Sequence, residues 1–527
     1  MPGGSKMPDV SGTMMNAADA ILGEGIAKAG REGAALFFGG QSLTYGDLAN
    51  LVNRFGNALK AAGVMPGDRV LFLLKDTPDF VAAYLATLKI GGVAIAFNIR
   101  ASSKDLAFAI EDSQCKVLFI DAEFVGAYRP IRKSLTQEPL AVVASAASGE
   151  YKTIENFVEG QPETLSSELL PPDAMAFWIY TSGTTGRPKA TVHLQSHVLI
   201  GHRHLVENLG VKPGDKIFIT SKIFFAYSLG HGLIGGLRAG AALVLFDGWP
   251  DADSVARVVE RFEPDYLFSV PTFYRNLLQG GQAEGAAFKA VRHYVSAGEA
   301  LPPSLWKQWH DVTGGEILEG IGASEATFLF IASRPDAIKP GACGQLLPWA
   351  EARLVADDGS EIDEPDREGI LWVRMESNMS EYWGRPDKTA ESLQDGWYCT
   401  DDMFSRDGEG YWTHHGRGDD MLKISGQWVS PVEIEDVALT VPGVSEAAVV
   451  GAPNADGLVR LALFLVADTG EAEQDKLTEQ VQTAIKERLS IYKCPRMVHY
   501  VETLPRTPTG KLQRFQLRKM AEDTTTA

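Results

Sequence analysis

Short apolar runs that alternate with helix-spaced ones constrain this chain more than any other feature. Residues 69–74, 93–97 and 117–120 read as buried strands, with helices at 80–88 and 106–110 between them. The rhythm returns at 217–220, 266–270, 291–295 and 317–318, with an amphipathic helix at 254–262. Parallel neighbours need long crossovers, and helices supply them, so the alternation predicts parallel sheets covered by helices. Thr44 precedes Leu48, Leu51, Phe55, Ala58 and Leu59 at helical spacing. It reads as the N-cap, with Asp47 at the positive end of the dipole. Residues 140–172 read as less regular. From Cys343 the texture turns to short strands and Asp-Gly turns, which predicts a small β-rich unit. The run His415-Gly416-Arg417-Gly418-Asp419-Asp420 reads as a linker to a compact α/β segment, with helices at 431–439 and 477–489 and strands at 447–450, 461–466 and 498–501.

A chain of 527 residues exceeds one ordinary core, so two or more domains are expected. The net charge of −19 disfavours nucleic acid and anionic membranes as partners, since both select a basic face. Four scattered cysteines fit a reducing, cytoplasmic setting. Residues 1–14 read as a flexible tail and lack the pattern of a signal peptide. The most apolar window, 229–246, carries His231, Arg238 and five glycines, a poor composition for a membrane span.

Among the loops, residues 179–190 stand out. Thr181, Ser182, Gly183, Thr184, Thr185 and Gly186 run unbroken, followed by Arg187, Pro188 and Lys189. Glycines let amides converge, hydroxyls donate and lysine adds positive charge, which is how a loop holds phosphate oxygens. The spacing matches neither the P-loop nor the dinucleotide fingerprint.

These motifs, in this order, resemble the adenylate-forming superfamily of acyl-CoA synthetases, peptide-synthetase adenylation domains and luciferases. After the loop come Ser296-Ala-Gly-Glu-Ala-Leu301, Gly320-Ile-Gly-Ala-Ser-Glu325, Gly396-Trp-Tyr-Cys-Thr-Asp-Asp402, Gly416-Arg-Gly-Asp-Asp420 and Pro505-Arg-Thr-Pro-Thr-Gly-Lys-Leu-Gln-Arg514. The resemblance implies an α/β fold. A large N-terminal domain (residues 15–417) of two helix-covered sheets plus a small β-barrel-like unit precedes a small mobile C-terminal α+β domain (418–527), with the hinge at Asp419. It implies ATP, coenzyme A and Mg2+ as cofactors. A carboxylate attacks the ATP α-phosphate, and a thiol then displaces AMP from the acyl-adenylate. By the same resemblance Lys511 reaches the carboxylate and α-phosphate, Glu325 and Thr184 serve the metal, and the loop Thr181–Gly186 with Lys189 and Ser324 surrounds the phosphates. Gly298, Glu299, Ala300, Gly320, Ile321 and Gly322 enclose adenine, which Glu319 approaches unless it is solvated. Asp402 and Arg417 hold the ribose. Asp401 replaces the usual glycine beside Asp402. In the second half-reaction Ser425, Gly426, Gln427 and Trp428 line the thiol's path, and Lys423 lies near the adenylate.

The resemblance places Phe224, Phe225, Ala226, Tyr227, Ser228, Ala297 and Ala323 around the acyl group. Three aromatic rings in four residues suit a planar aryl acid. The segments 224–227 and 425–431 look most like those of benzoate- and hydroxybenzoate-CoA ligases. Ser228 and His231 depart from that pattern, and a buried Ser or His needs a polar partner, which a ring substituent supplies. Tyr227 is a further candidate for bonding such a substituent. The expected partner is therefore a small aromatic carboxylate, benzoate or a substituted benzoate. A stand-alone adenylation protein loading a carrier, and a ligase for furoate or cyclohexane carboxylate, are the alternatives. The oligomeric state, a homodimer included, stays open.

Overall fold

The structure is a computed structural model that describes residues 12–144, 149–181, 188–356, 358–418, 422–424, 427–453, 459–467, 470, 473–489, 493–506 and 512–525. The chain divides into two compact units. The first is Met1–Ala352 with Val373–Tyr398, and the second is Arg353–Trp372 with Cys399–Ala527.

The first unit contains two sheets. In one, the strands follow the order Glu381–Tyr382, Lys189–Leu194, Met175–Thr181, Val93–Ala96, Arg69–Leu73, Val117–Asp121, Leu140–Ala144 and Lys152–Thr153. Pairing is parallel from Met175–Thr181 to Lys152–Thr153 and antiparallel at the other end, where Met175–Thr181 turns back into Lys189–Leu194. In the other, Ile317–Gly322, His293–Ser296, Tyr266–Ser269, Lys216–Ile219, Ala242–Leu245 and Ala34–Phe38 run parallel in that order. The antiparallel strands Leu329–Ala332 and Gln41–Thr44 flank the two ends of that parallel run. Central strands such as Val93–Ala96 and Tyr266–Ser269 are buried throughout, as expected of sheets covered on both faces.

The helix entry predicted at Thr44 is a capping box. The Thr44 hydroxyl accepts the Asp47 amide at 3.0 Å, and the Asp47 carboxylate accepts the Thr44 amide at 3.0 Å. Such a cap contributes about 1 kcal/mol, and these bonds hold the Asp47 carboxyl below its usual range. Residues 140–158 depart from expectation, since they supply the last two strands of the sheet, with Lys152–Thr153 at its edge, and the helix Ile154–Val158. The polar stretch at 145–151 masks their period. The apolar window at 229–246 folds as a π-helical segment, Leu229–Gly236, and the strand Ala242–Leu245. A Cβ on Gly235 would lie 2.3 Å from the Gly201 carbonyl oxygen, so only glycine lets these two backbones meet. No described helix is long and apolar enough to cross a membrane.

In the second unit, Val444–Pro453, Val459–Ala467 and Met497–Tyr500 form a sheet whose residues alternate between two cores. Val449, Leu461, Leu463 and Leu465 pack with Ile434, Leu477 and Val481 on one face. Ala448, Val450, Ala462 and Phe464 pack with Leu517 and Ala521 on the other. His415, Gly416 and Arg417, expected in a linker, instead finish the strand Tyr411–Arg417, which pairs with Trp397–Arg406. Alternation in Tyr411-Trp412-Thr413-His414 carries the strand through the glycine.

One buried ion pair organises the C-terminal end of this unit. Arg514 donates to both Glu435 oxygens at 2.5 and 3.0 Å and to the Val449 carbonyl at 2.6 Å, while Glu435 also accepts the Val449 amide at 2.7 Å. Arg514→Met is expected to leave Glu435 buried and uncompensated, costing about 3–5 kcal/mol. A denaturant midpoint for the second unit that does not move would show that the pair is dispensable.

Candidate active site

The strand Met175–Thr181 and its antiparallel return Lys189–Leu194 bring the two ends of the Gly/Thr run together, with Thr181 opposite Lys189 and Tyr180 opposite Ala190. Ser182, Gly183, Thr184, Thr185 and Gly186 lie outside the described residues. Lys189, expected with the loop around the phosphates, is the first residue of a paired strand. Its Nζ sits 4.1 Å from the centre of the Tyr382 ring, a cation–π contact.

The same tyrosine reaches Glu325. Its hydroxyl donates to Glu325 Oε1 at 2.6 Å, and the Glu325 side chain is buried. The backbone around Glu325 is fixed as well. The Met379 amide donates to the Glu325 carbonyl at 2.6 Å, Ser377 Oγ donates to the Ala326 carbonyl at 2.7 Å, and His193 Nε2 donates to the Ser324 carbonyl at 2.9 Å. Burial pushes the His193 pKa down to about 4, so this imidazole stays neutral. Thr327 has φ 64°, a backbone strain of order 1–3 kcal/mol for a β-branched residue. Its hydroxyl lies 3.2 Å from His193 Nδ1. Glu325 thus presents one fixed carboxylate, and among the described residues no cluster of three or more His, Cys, Asp or Glu forms a metal cage. One carboxylate suits Mg2+ that keeps water and phosphate oxygens as its other ligands.

The expected adenine wall follows the parallel strands His293–Ser296 and Ile317–Gly322. Gly298 has φ 90° and is exposed, so its backbone can be approached closely. Glu299 accepts from Thr272 Oγ1 at 2.7 Å. Ala300 is half-buried. Glu319 is buried and accepts the Leu301 amide at 3.1 Å, which fixes the end of the 298–301 segment and excludes the solvated alternative. Gly320 and Ile321 pair with Ala332 and Ile331, and a register shift at Ile321/Gly322 leaves Gly322 exposed. Ala323 accepts the Ala326 amide, forming a turn into Glu325.

The aromatic segment at 224–228 is anchored by a buried ion pair. Lys222 Nζ lies 3.7 Å from Asp76 and donates to the Phe246 carbonyl, and Asp76 accepts the Ile223 amide at 3.2 Å. Burial raises the Asp76 pKa to about 6, against the pull of Lys222. The Phe224 and Phe225 rings lie 4.3 Å apart, with Phe224 in the core and Phe225 and Ala226 partly exposed. Tyr227 packs with Ala297, Leu329 and Leu347. Its hydroxyl donates to the Val295 carbonyl at 3.2 Å, so toward a ring substituent it is left as an acceptor. Ser228 is buried and lines a small cavity with Asp76, Gly232 and Leu233.

In the second unit, the register sets Asp402 opposite Arg417, with Nη1 3.9 Å from Oδ1. Asp401 has φ 58°, the left-handed region in which relatives' glycine is at ease, and its side chain is 63% exposed against 20% for Asp402. Asp402 is therefore the inward carboxylate of the two. Lys423 pairs with Trp428, and Ile424 with Gln427, in a short antiparallel ladder. The side chains of Lys423, Gln427 and Trp428, and all of Asp419, Ser425, Gly426 and Lys511, lie outside the described residues. The Arg506↔Leu512 bridge and the bond from the Gln513 amide to the Pro505 carbonyl flank Lys511 on the described sides.

Tyr382, His193 and Asp76, with its pairing to Lys222, escaped the sequence reading. Tyr382-Trp383 resembles core, and only an ionisable residue inside a buried strand could have signalled His193.

The AMP-binding enzyme family matches residues 24–383, and the AMP-binding enzyme C-terminal domain matches residues 433–511. The chain is 51% identical over 512 residues to a 3-hydroxybenzoate–CoA/4-hydroxybenzoate–CoA ligase of Thauera aromatica, covering 97% of this chain and 98% of the relative. It is 50% identical to a 3-hydroxybenzoate–CoA ligase of Aromatoleum sp. (strain CIB), covering 96% and 97%. Among solved structures, the anthranilate CoA ligase AuaEII in complex with anthranoyl-AMP aligns with TM-score 0.90 at 32% identity over 98% of both chains. The ordered motifs, the two sheets and the carboxylate held beside the phosphate strand thus have one explanation: this chain belongs to the AMP-binding enzymes of the adenylate-forming superfamily and is an acid–thiol ligase.

Proposed function

We propose that this ligase activates a hydroxybenzoate with ATP through an acyl-adenylate and transfers it to coenzyme A, releasing pyrophosphate and AMP. The observation that carries this reading is full-length likeness to hydroxybenzoate–CoA ligases at about half identity, together with the packed Tyr227–Ala297–Leu329 cluster where the acyl group is expected. None of the four cysteines is in a disulfide, which accords with a cytoplasmic setting.

Two anions must meet in the first step, so the site has to neutralise charge as it develops. The acid's carboxylate oxygen bonds to the α-phosphorus, and the bond to pyrophosphate breaks. Lys511 supplies positive charge to both partners. Glu325 would hold Mg2+, which offsets phosphate charge when bound, and Tyr382 fixes the orientation of that carboxylate. Asp402 accepts from the ribose hydroxyls beside Arg417. In the second step the coenzyme A thiol gives up its proton to solvent, the thiolate sulfur bonds to the acyl carbon, the bond from that carbon to the phosphate oxygen breaks, and AMP leaves as its anion without needing a proton. Rotation of the domain 418–527 about Asp419 would exchange Lys511 for the 425–428 segment, with Lys423 moving toward the adenylate.

A panel of benzoate, hydroxy- and aminobenzoates, furoate, cyclohexane carboxylate and fatty acids, read as CoA thioester, tests the substrate. Hydroxybenzoates should lead in kcat/KM, and a leading fatty or alicyclic acid would sink the proposal. Transfer to a carrier protein in preference to coenzyme A would favour the carrier-loading alternative. Lys511→Ala should cut ATP–pyrophosphate exchange about 10²-fold or more with an unchanged melting temperature; exchange near the wild-type rate removes Lys511 from the first step. Tyr382→Phe should raise the Mg2+ concentration for half-maximal exchange about tenfold, with recovery at saturating metal. An unchanged metal requirement would mean that Glu325 needs no help from the phenol.

A further inference from the structure

Two histidines behind the acyl segment are held in complementary states that the activation chemistry does not use. His231 and His204 are both buried, at 1% and 3% exposure. Their rings stand 5.4 Å apart at 88°. Close approach of Gly235 to Gly201 brings the segments that carry them together. His231 also packs its ring against Tyr227 at 5.4 Å, Phe268 at 6.0 Å and Phe328 at 6.2 Å.

Their partners fix the tautomers. His231 Nδ1 lies 3.2 Å from the Tyr227 carbonyl oxygen, which can only accept, so Nδ1 carries the proton and Nε2 is left as a lone-pair acceptor. His204 Nδ1 lies 3.4 Å from Asn208 Nδ2, and that amide nitrogen also donates to the Ser333 carbonyl at 3.0 Å. Asn208 therefore donates, His204 Nδ1 accepts, and His204 Nε2 carries the proton. Neither Nε2 has a hydrogen-bond partner among the described residues. Burial keeps both rings neutral, with the His231 pKa pushed down to about 4 and that of His204 well below its ordinary value.

A buried acceptor and a buried donor, side by side and unsatisfied, call for one group that does both. Water can do so, and among the substituents an aryl acid can carry a phenolic hydroxyl is the smallest such group. An aryl amine donates well but accepts poorly, because its lone pair is delocalised into the ring. Fluorine and methoxy donate nothing.

We infer that His231, with His204 beside it, is the element that reads a hydroxyl on the aromatic ring of the acid, the hydroxyl donating to His231 Nε2 and accepting from His204 Nε2–H. This rests on the aryl-acid reading proposed above and adds to it the residues that choose the ring substituent. Selectivity follows because a substrate without the hydroxyl leaves both nitrogens unpaired inside the protein.

The test compares kcat/KM in ATP–pyrophosphate exchange for 3- and 4-hydroxybenzoate, the matching fluoro-, methoxy- and aminobenzoates, and benzoate. Full-length wild type and His231→Phe are the enzymes, each checked for folding by its melting temperature. Wild type should prefer at least one hydroxybenzoate over its fluoro and amino counterparts by about 10²-fold, and His231→Phe should bring that ratio near one. A wild type that takes the fluoro acid as readily as the hydroxy acid overturns the inference, whether or not the variant folds. So does a folded variant that keeps the preference, since the hydroxyl would then be read elsewhere and a water would bridge the two imidazoles. Failure of every aromatic acid to be activated would instead refute the aryl-acid reading itself.

Discussion

The buried carboxylate of Glu325 is the constraint on which the first unit's site depends. A carboxylate removed from water is costly unless each side of it is engaged. Here Tyr382 donates to one oxygen, and three bonds pin the neighbouring backbone through Met379, Ser377 and His193. His193 belongs to the strand that returns from the phosphate loop, and Glu381–Tyr382 pairs with that same strand. Glu325 and the strand Lys189–Leu194 are therefore one mechanical piece. The strained Thr327 beside them is tolerated because the same network over-determines its backbone.

Much of this architecture was legible because the signals were local. Apolar runs with helical crossovers gave the parallel strands, and Thr44 with Asp47 gave a cap that the structure shows atom by atom. The motifs singled out Glu325, Asp402 and the 298–300 segment in sequence as candidates, since family chemistry fixes those residue types. Tyr382 was not legible, because a tyrosine at a short strand looks the same whether its hydroxyl meets water or Glu325. The partners are 57 positions apart, and only tertiary pairing joins them. Glu319 is a similar case. Its role in holding the Leu301 amide depends on adjacent parallel strands, not on anything in its neighbourhood in the chain.

The pair Asp401–Asp402 shows how backbone conformation separates chemically identical neighbours. Two adjacent carboxylates offer no sequence reason to prefer either one. A left-handed φ at Asp401 turns its side chain outward, and the ladder places Asp402 opposite Arg417. An L-residue in that conformation costs about 1 kcal/mol or more relative to glycine. Asp401 also lies 3.6 Å from Arg417 Nη2, so both carboxylates share the guanidinium's field while only Asp402, the one proposed to accept from the ribose, is half-buried.

Polar satisfaction is distributed unevenly across the first unit, and the unevenness has a chemical logic. Around Glu325, Glu319 and Asp76, side-chain oxygens are bonded to amides, hydroxyls or a lysine, so geometry there is fixed before any ligand arrives. Preorganised charge is worth most where the reaction develops charge, and ATP is the same for every member of the family. Behind Tyr227 the opposite holds, with two buried imidazole nitrogens that have no partner among the described residues, in an aromatic surround. An unsatisfied polar atom has no value for stability, but it discriminates strongly between substrates that do and do not complete it. A fold organised in this way can keep its phosphate chemistry constant while one or two side chains at the acyl end change the acid it accepts.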